Sequence, residues 1–174
     1  MNRSAIIRQA ETRDAASLSR LAIETYRESF GHTFSADDLS AHLRAKLSPD
    51  RFARYIDEDI ILVAEVDETL VGYIQFGDSD AGQELRRLYV ASPFQNQKHG
   101  SRLMEAALRH PRLANAAFIT LDVWEHNQGA RRFYERYGFE VIGTRAFTVE
   151  SGAATDLDFV MARRSGHNQR ECEG

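Results

Sequence analysis

The sequence predicts a mixed α/β sheet with helices on both faces. Three features carry that prediction. Short runs of branched and aromatic residues, such as Ile60 to Val66 and Ala117 to Trp124, suit strands. Between such runs, apolar residues recur at helical spacing, as Leu18, Leu21, Ala22, Tyr26 and Phe30 do. The two kinds interleave: one strand, helices, three strands, a helix, a strand, a helix, then two strands.

Ala5 to Ala10 is the first strand. A helix starts near Asp14 and Gly31 ends it. Ser35 is placed to cap a second helix toward Lys46, with Asp37 and Asp38 against the positive end of its dipole. Ser48-Pro49-Asp50 opens a short helical turn through Tyr55. Ile60 to Val66 and Leu70 to Phe76 form an antiparallel hairpin across Asp67-Glu68-Thr69. Asp78 to Gly82 reads as a turn, and Leu85 to Val90 as the next strand, ended by Ser92-Pro93. Leu103, Met104, Ala107 and Leu108 mark the helix after it. Ala117 to Trp124 is a strand, and Gln128 to Tyr137 a helix closed by Gly138. Phe139 to Ile142, Arg145 to Glu150 and Thr155 to Ala162 read as strands. The expectation is one domain over residues 1–164 and a polar tail over 165–174.

Composition excludes several classes. With 174 residues, 43% apolar and 28% charged, the chain can build a sizeable core. A net charge of −4 gives no basic face for nucleic acid and a slight preference for cationic partners. The single cysteine, Cys172, permits no disulfide within the chain, which fits a reduced, cytoplasmic setting. No apolar run is long enough to span a bilayer, so no membrane partner is expected. The six histidines show no close ligand spacing, so no metal is expected.

The stretch from Glu84 to Met104 organises the rest. It reads as a strand, a polar loop and a helix start. Such a loop turns backbone N–H groups toward one point at the positive end of a helix dipole, which suits a phosphate or diphosphate. Gly100 lets an anion approach the backbone.

Gln95-Asn96-Gln97-Lys98-His99-Gly100, directly after Leu88-Tyr89-Val90, resembles motif A of the GNAT superfamily of acetyl-CoA-dependent N-acetyltransferases. That loop reads Gln/Arg-x-x-Gly-x-Gly/Ala, and Lys98 stands here in place of the first glycine. A second block, Asn127-Gln-Gly-Ala130-Arg-Arg-Phe133-Tyr134-Glu-Arg-Tyr137-Gly138-Phe139, resembles motif B, Asn-x-x-Ala-x-x-Phe-Tyr-x-x-x-Gly-Phe. The resemblance runs from about Ile7 to Arg163. It implies a mixed, mostly antiparallel sheet whose central strands splay apart around the cofactor. A finer similarity, to polyamine acetyltransferases of the PaiA type, rests on Phe94-Gln95, Val123 to Asn127, Thr155-Asp156-Leu157, and Ile23 to Tyr26 with Phe30.

The resemblance implies acetyl-CoA as co-substrate and a primary amine as acceptor. Cofactor contacts then fall to the backbone of Leu88, Tyr89 and Val90, to Gln95, Asn96, Gln97, Lys98, His99, Gly100 and Ser101, and to Asn127, Ala130 and Tyr134. Transfer requires a deprotonated amine, whose pKa is about 10.4 for a lysine-like group. It also requires donors aimed at the carbonyl oxygen, and a proton for the departing thiolate. Tyr134 is the candidate acid; without motif B, core packing would be the better account of it. Phe133 and Tyr137 are expected in the core. Glu84 is the candidate base or ammonium anchor, facing the same side as Arg86, Leu88 and Val90 if alternation holds; a water could serve as base instead. Asp122, Asp156 and Asp158 are further carboxylates for the acceptor region. Tyr26, Phe30, Tyr73 and Trp124 are candidate acceptor walls, against the plainer alternative of core packing. His99 is expected to point to solvent and His126 to lie on the surface.

Two alternatives stay open: a non-catalytic acyl-CoA sensor, and a phosphate-binding domain for another nucleotide. The second lacks the Gly-rich loop ending Gly-Lys-Ser/Thr. The residues do not choose between a polyamine, a protein N-terminus, a lysine, an amino acid or an antibiotic as acceptor. Similar proteins are commonly homodimers.

Overall fold

A computed structural model describes residues 4–148 and 155–164. The described strands follow the hydrogen-bonded order β1-β2-β3-β4-β5-β7-β6. They are β1 (Ile6–Gln9), β2 (Ile60–Val66), β3 (Thr69–Ser79), β4 (Gly82–Val90), β5 (Phe118–Trp124), β6 (Glu140–Thr148) and β7 (Thr155–Arg164). The sheet is mixed and mostly antiparallel; β4 and β5 pair in parallel over two rungs, Gln83↔Ile119 and Glu84↔Thr120. The helices are α1 (Ala15–Phe30), α2 (Ala36–Leu47), α3 (Pro49–Glu58), α4 (His99–Arg109), α5 (Pro111–Ala114) and α6 (Gln128–Glu135). The backbone divides into two compact units, Met1–Gly77 with Arg86–Arg109, and Asp78–Leu85 with His110–Gly174.

In the first unit, β1, β2 and β3 pair antiparallel. One sheet face sends Ile61, Val63 and Tyr73 into a core with Leu18, Leu21 and Ala22 of α1, Leu43 and Leu47 of α2, and Phe52 of α3. The other face receives α4. Gly72 makes that approach possible, because a Cβ there would lie 3.2 Å from Leu103 Cδ1 and 3.0 Å from the Tyr89 carbonyl oxygen. Ser35 caps α2 by accepting from Asp38 N at 3.1 Å, as its place in the sequence predicts. Ser48 caps α3 in the same way, and Pro49 at the first helical position suits the start. That helix runs to Glu58, a turn longer than the sequence suggests. The β2–β3 turn is a two-residue loop with Asp67 at φ 48° and Glu68 at φ 62°, a geometry matched to strand twist.

In the second unit, β7 pairs antiparallel with both β5 and β6. Ile119, Leu121 and Val123 alternate into the core with Met161, Leu113 and Phe139. Gly138 closes α6 at φ 83°, the left-handed conformation expected after a helix. Two boundaries differ from the sequence reading. Phe139 to Ile142 and Arg145 onward form one strand, because an irregularity between Val141 and Gly143 absorbs an extra residue without ending the pairing. Asp78 to Gly82 is mostly strand, as β3 and β4 run almost into each other. The tail 165–174, Cys172 included, and residues 149–154 lie outside the described residues.

Candidate active site

The first unit carries the loop after β4. A 3₁₀ turn at Ser92–Phe94 leads into Gln95 to Lys98, all exposed, and α4 starts at His99. Two residues in this short loop have left-handed backbone, Asn96 at φ 60° and Lys98 at φ 65°. Lys98 therefore takes a backbone conformation that glycine adopts more readily than a residue with a β-carbon. The side chains of Gln95 and Gln97 fold back onto the loop, Nε2 donating to Val90 O at 2.9 Å and to Pro93 O at 3.0 Å. Those two side chains are thereby tied to the loop's own backbone, while Asn96 and Lys98 remain exposed. That arrangement, ahead of an 11-residue helix, suits a diphosphate. Gly100 and Ser101 form the first turn of α4, and Gly100 has no positive φ.

His99 corrects an expectation. Its side chain is not in solvent but 3% exposed, tilted against Phe94 with ring centroids 6.3 Å apart. The reason is helical geometry: as the first residue of α4 it lies one turn before Leu103, on the inward face. Neither ring nitrogen has a hydrogen-bond partner. Burial, assisted by the nearby Arg102, holds its pKa below the usual histidine value.

β4 is fixed by a polar network that the sequence does not announce. Gln75, fully buried on β3, donates to Asp59 Oδ2 at 2.6 Å and accepts from Arg87 Nη1 at 2.6 Å. Arg86 Nε donates to the same Asp59 oxygen at 3.0 Å. Adjacent residues of β4 thus reach one carboxylate system, so simple alternation does not describe the reach of this strand's side chains. Tyr73 sits beneath, fully buried and edge-on to Phe52, and its hydroxyl has no partner. Burial raises its pKa. Tyr26 and Phe30 join Phe34 and His42 in a half-buried cluster, with Tyr26 stacked on His42 at 4.8 Å. The rings touch one another, so they form a wall rather than a cage.

The second unit carries Asn127, Tyr134, Glu84 and Trp124. Asn127 Oδ1 caps α6 by accepting from Ala130 N at 3.0 Å. Tyr134 is 9% exposed and sits edge-on to Phe133 and Phe139. Phe133 and Tyr137 are half-buried rather than fully in the core; they pack on each other, and Arg136 lies over Phe133 at 5.3 Å. Trp124 is half-buried and edge-on to the exposed His126. Glu84 is half-buried and, being paired with Thr120, shares a sheet face with it. Asp122 accepts from Arg145 Nη1 at 2.7 Å, a partner with no sequence signal. Desolvation raises the Asp122 pKa, and Arg145 opposes that rise. The Asp156 side chain lies outside the described residues.

Among the described residues, no three acidic, histidine or cysteine side chains gather as metal ligands. No described helix is long and apolar enough to cross a membrane.

Comparison with known proteins agrees with this geometry. The Acetyltransferase (GNAT) family profile matches residues 16–139, which include both motif blocks. An uncharacterised N-acetyltransferase of Mycobacterium tuberculosis is 36% identical over 159 residues, covering 86% of this chain and 97% of the relative. A spermidine N(1)-acetyltransferase of Thermoplasma acidophilum is 26% identical over 144 residues, covering 79% of this chain and 89% of the relative. Among solved structures, the PaiA N-acetyltransferase of Thermoplasma acidophilum in complex with coenzyme A superposes with a TM-score of 0.76. It is 23% identical and covers 92% of this chain and 99% of its own. The likeness of fold, the matched profile and the relative at 36% identity lead to one conclusion: the chain belongs to the GNAT family and is an acetyl-CoA-dependent N-acetyltransferase.

Proposed function

We propose that the chain transfers the acetyl group of acetyl-CoA to a primary amine of a polyamine, by direct attack in a ternary complex. The observation that carries the reading is the left-handed backbone at Lys98. A left-handed Lys98 gives the loop a tight turn although the motif's glycine is missing, which supports diphosphate binding over a degenerate, sensor-only loop. The backbone N–H groups of Gln95 to Ser101 hold the diphosphate, and Lys98 adds a charge to it. Leu88, Tyr89, Val90, Asn127 and Ala130 position the pantetheine arm and acetyl group. Glu84, directly or through a water, takes the proton from the ammonium. The amine nitrogen then bonds to the carbonyl carbon, the carbon–sulfur bond breaks, Tyr134 gives its proton to the thiolate, and the second proton leaving the new amide nitrogen passes through solvent to restore Tyr134.

Support for a polyamine comes from the spermidine-acetylating relative and from the net charge of −4. Tyr26, Phe30 and Trp124 are the aromatic residues assigned to the acceptor; Tyr73 drops out of that set, because it is fully buried in the core of the first unit. A panel of spermidine, a lysine peptide, a free N-terminal peptide and a neutral amino acid, read as thiol released from acetyl-CoA, tests the reading. Spermidine is expected to give the highest kcat/KM. An equal or lower value for spermidine removes the polyamine, and no release with any amine removes acetyl transfer.

A further inference from the structure

The sheet of the second unit has two unlike faces. Register pairs Leu121 with Met161 and Val123 with Phe159 on the face that α6 covers, where Arg131 lies 5.5 Å over the Phe159 ring. The opposite face carries Thr120, Asp122 and Trp124 of β5 beside Asp158 of β7. Glu84 joins it through its pairing with Thr120, and Arg145 of β6 through its pairing with Asp158. This is a mixed-charge face with an aromatic residue at one end.

Arg145 does something specific there. β6 is not a neighbour of β5, since β7 lies between them. The guanidinium nevertheless crosses β7 and donates to Asp122 at 2.7 Å, a reach of roughly two strand spacings, about 10 Å. The two partners are unequally wet: the Arg145 side chain is 62% exposed and that of Asp122 26%. An ion pair whose long member is mostly in water holds weakly and is readily exchanged for another cation. The carboxylate beneath it is the drier partner, and a close positive charge offsets the desolvation that raises its pKa.

We propose that Arg145 is a specificity-determining residue, an internal cation on Asp122 that the second ammonium of a diamine or polyamine displaces. This rests on the amine-acceptor reading above, with the reacting nitrogen at Glu84. Asp122 stands two residues along β5 from Thr120, the partner of Glu84, or about 7 Å at the rise of a strand. An extended arm of three or four methylenes spans that separation. A monoamine bound at Glu84 has no second charge to exchange with Arg145, so it gains nothing from Asp122. Selection for multiple charges thus comes from a competition within the protein.

The test compares Arg145→Gln, Asp122→Asn and the double variant, each loaded with CoA, by calorimetric titration of spermidine and of butylamine. The spermidine-to-butylamine affinity ratio is expected to rise about two- to fivefold in Arg145→Gln, the range of a partly exposed ion pair. It should fall in Asp122→Asn, and the double variant should match Asp122→Asn, because Arg145 acts through that carboxylate. A ratio unchanged or lowered in Arg145→Gln overturns the inference. So does an Asp122→Asn effect equal on both amines, or no spermidine binding to wild type and Arg145→Gln alike. Thiol release on the same amines separates the two levels: turnover without charge discrimination sinks only this inference, and absent turnover sinks acetyl transfer.

Discussion

Lys98 offers a perturbation whose size can be worked from the backbone. Its φ of 65° places an ordinary L-residue in the left-handed region. That conformation costs roughly 1–2 kcal/mol for a residue with a β-carbon, and less for Asn96, whose short polar side chain tolerates it. Lys98→Gly removes the strain but gives the unfolded chain more freedom, a loss of about 0.4–1 kcal/mol. The net gain should be about 0.5–1 kcal/mol, or roughly 1–4 °C in melting temperature for a chain of this length. Lys98→Ala keeps the strain and should melt close to wild type. Both variants lose the ammonium, so CoA should bind about two- to fivefold more weakly at low salt, with the difference fading at high salt. Thermal melts and CoA titrations at two ionic strengths measure both effects. Lys98→Gly melting at or below Lys98→Ala would refute the strain argument. CoA affinity unchanged in both would refute the role given to the charge.

His99→Leu should stabilise the protein. It removes two buried nitrogens without partners, at about 1–3 kcal/mol for an unsatisfied group. The folded-state pKa is depressed, so below about 6.5 the unfolded chain takes up a proton that the buried ring refuses. Wild-type stability therefore declines as pH falls through that value, and the advantage of Leu should grow; melts at several pH values would show a constant advantage if this is wrong. Gly100→Val tests access to the loop, since Gly100 has no positive φ that would force glycine for conformational reasons. CoA affinity should drop at least tenfold with the fold intact by circular dichroism. Retained affinity would remove Gly100 from the diphosphate contacts.

Periodicity and turn chemistry made most of the fold legible. The branched and aromatic runs of β2 and β5, the Ser35 cap and the helix end at Gly138 all have local causes, and the structure shows each of them. The loop was legible through motif A, yet its decisive property, the backbone of Lys98, is invisible in residue identity. His99 was misread because a histidine in a polar loop suggests solvent, whereas helix phase decides its direction. The Asp59–Gln75–Arg87 network and the Asp122–Arg145 pair were not legible at all. Both bring together residues of different elements, and a polar residue in a strand gives no sign of whether its partner is protein or water. The merged β6 was not legible, because one residue, Ile142, is absorbed as an irregularity within continuous pairing.

In the proposed mechanism Tyr134 supplies the proton to the departing thiolate. Tyr134→Phe keeps the ring and its edge-on contacts with Phe133 and Phe139 and removes only the hydroxyl. The measurement is steady-state acetylation by this variant across acetyl-CoA concentrations, with a melt on the same sample. The hydroxyl acts on charge that appears in the transition state, so kcat should fall by a factor on the order of 10² while KM for acetyl-CoA stays nearly constant. The melt should shift by no more than the loss of one hydrogen bond, about 1 kcal/mol. Wild-type kcat in the folded variant, accompanied by a lower melting temperature, would contradict the claim and leave Tyr134 a packing residue.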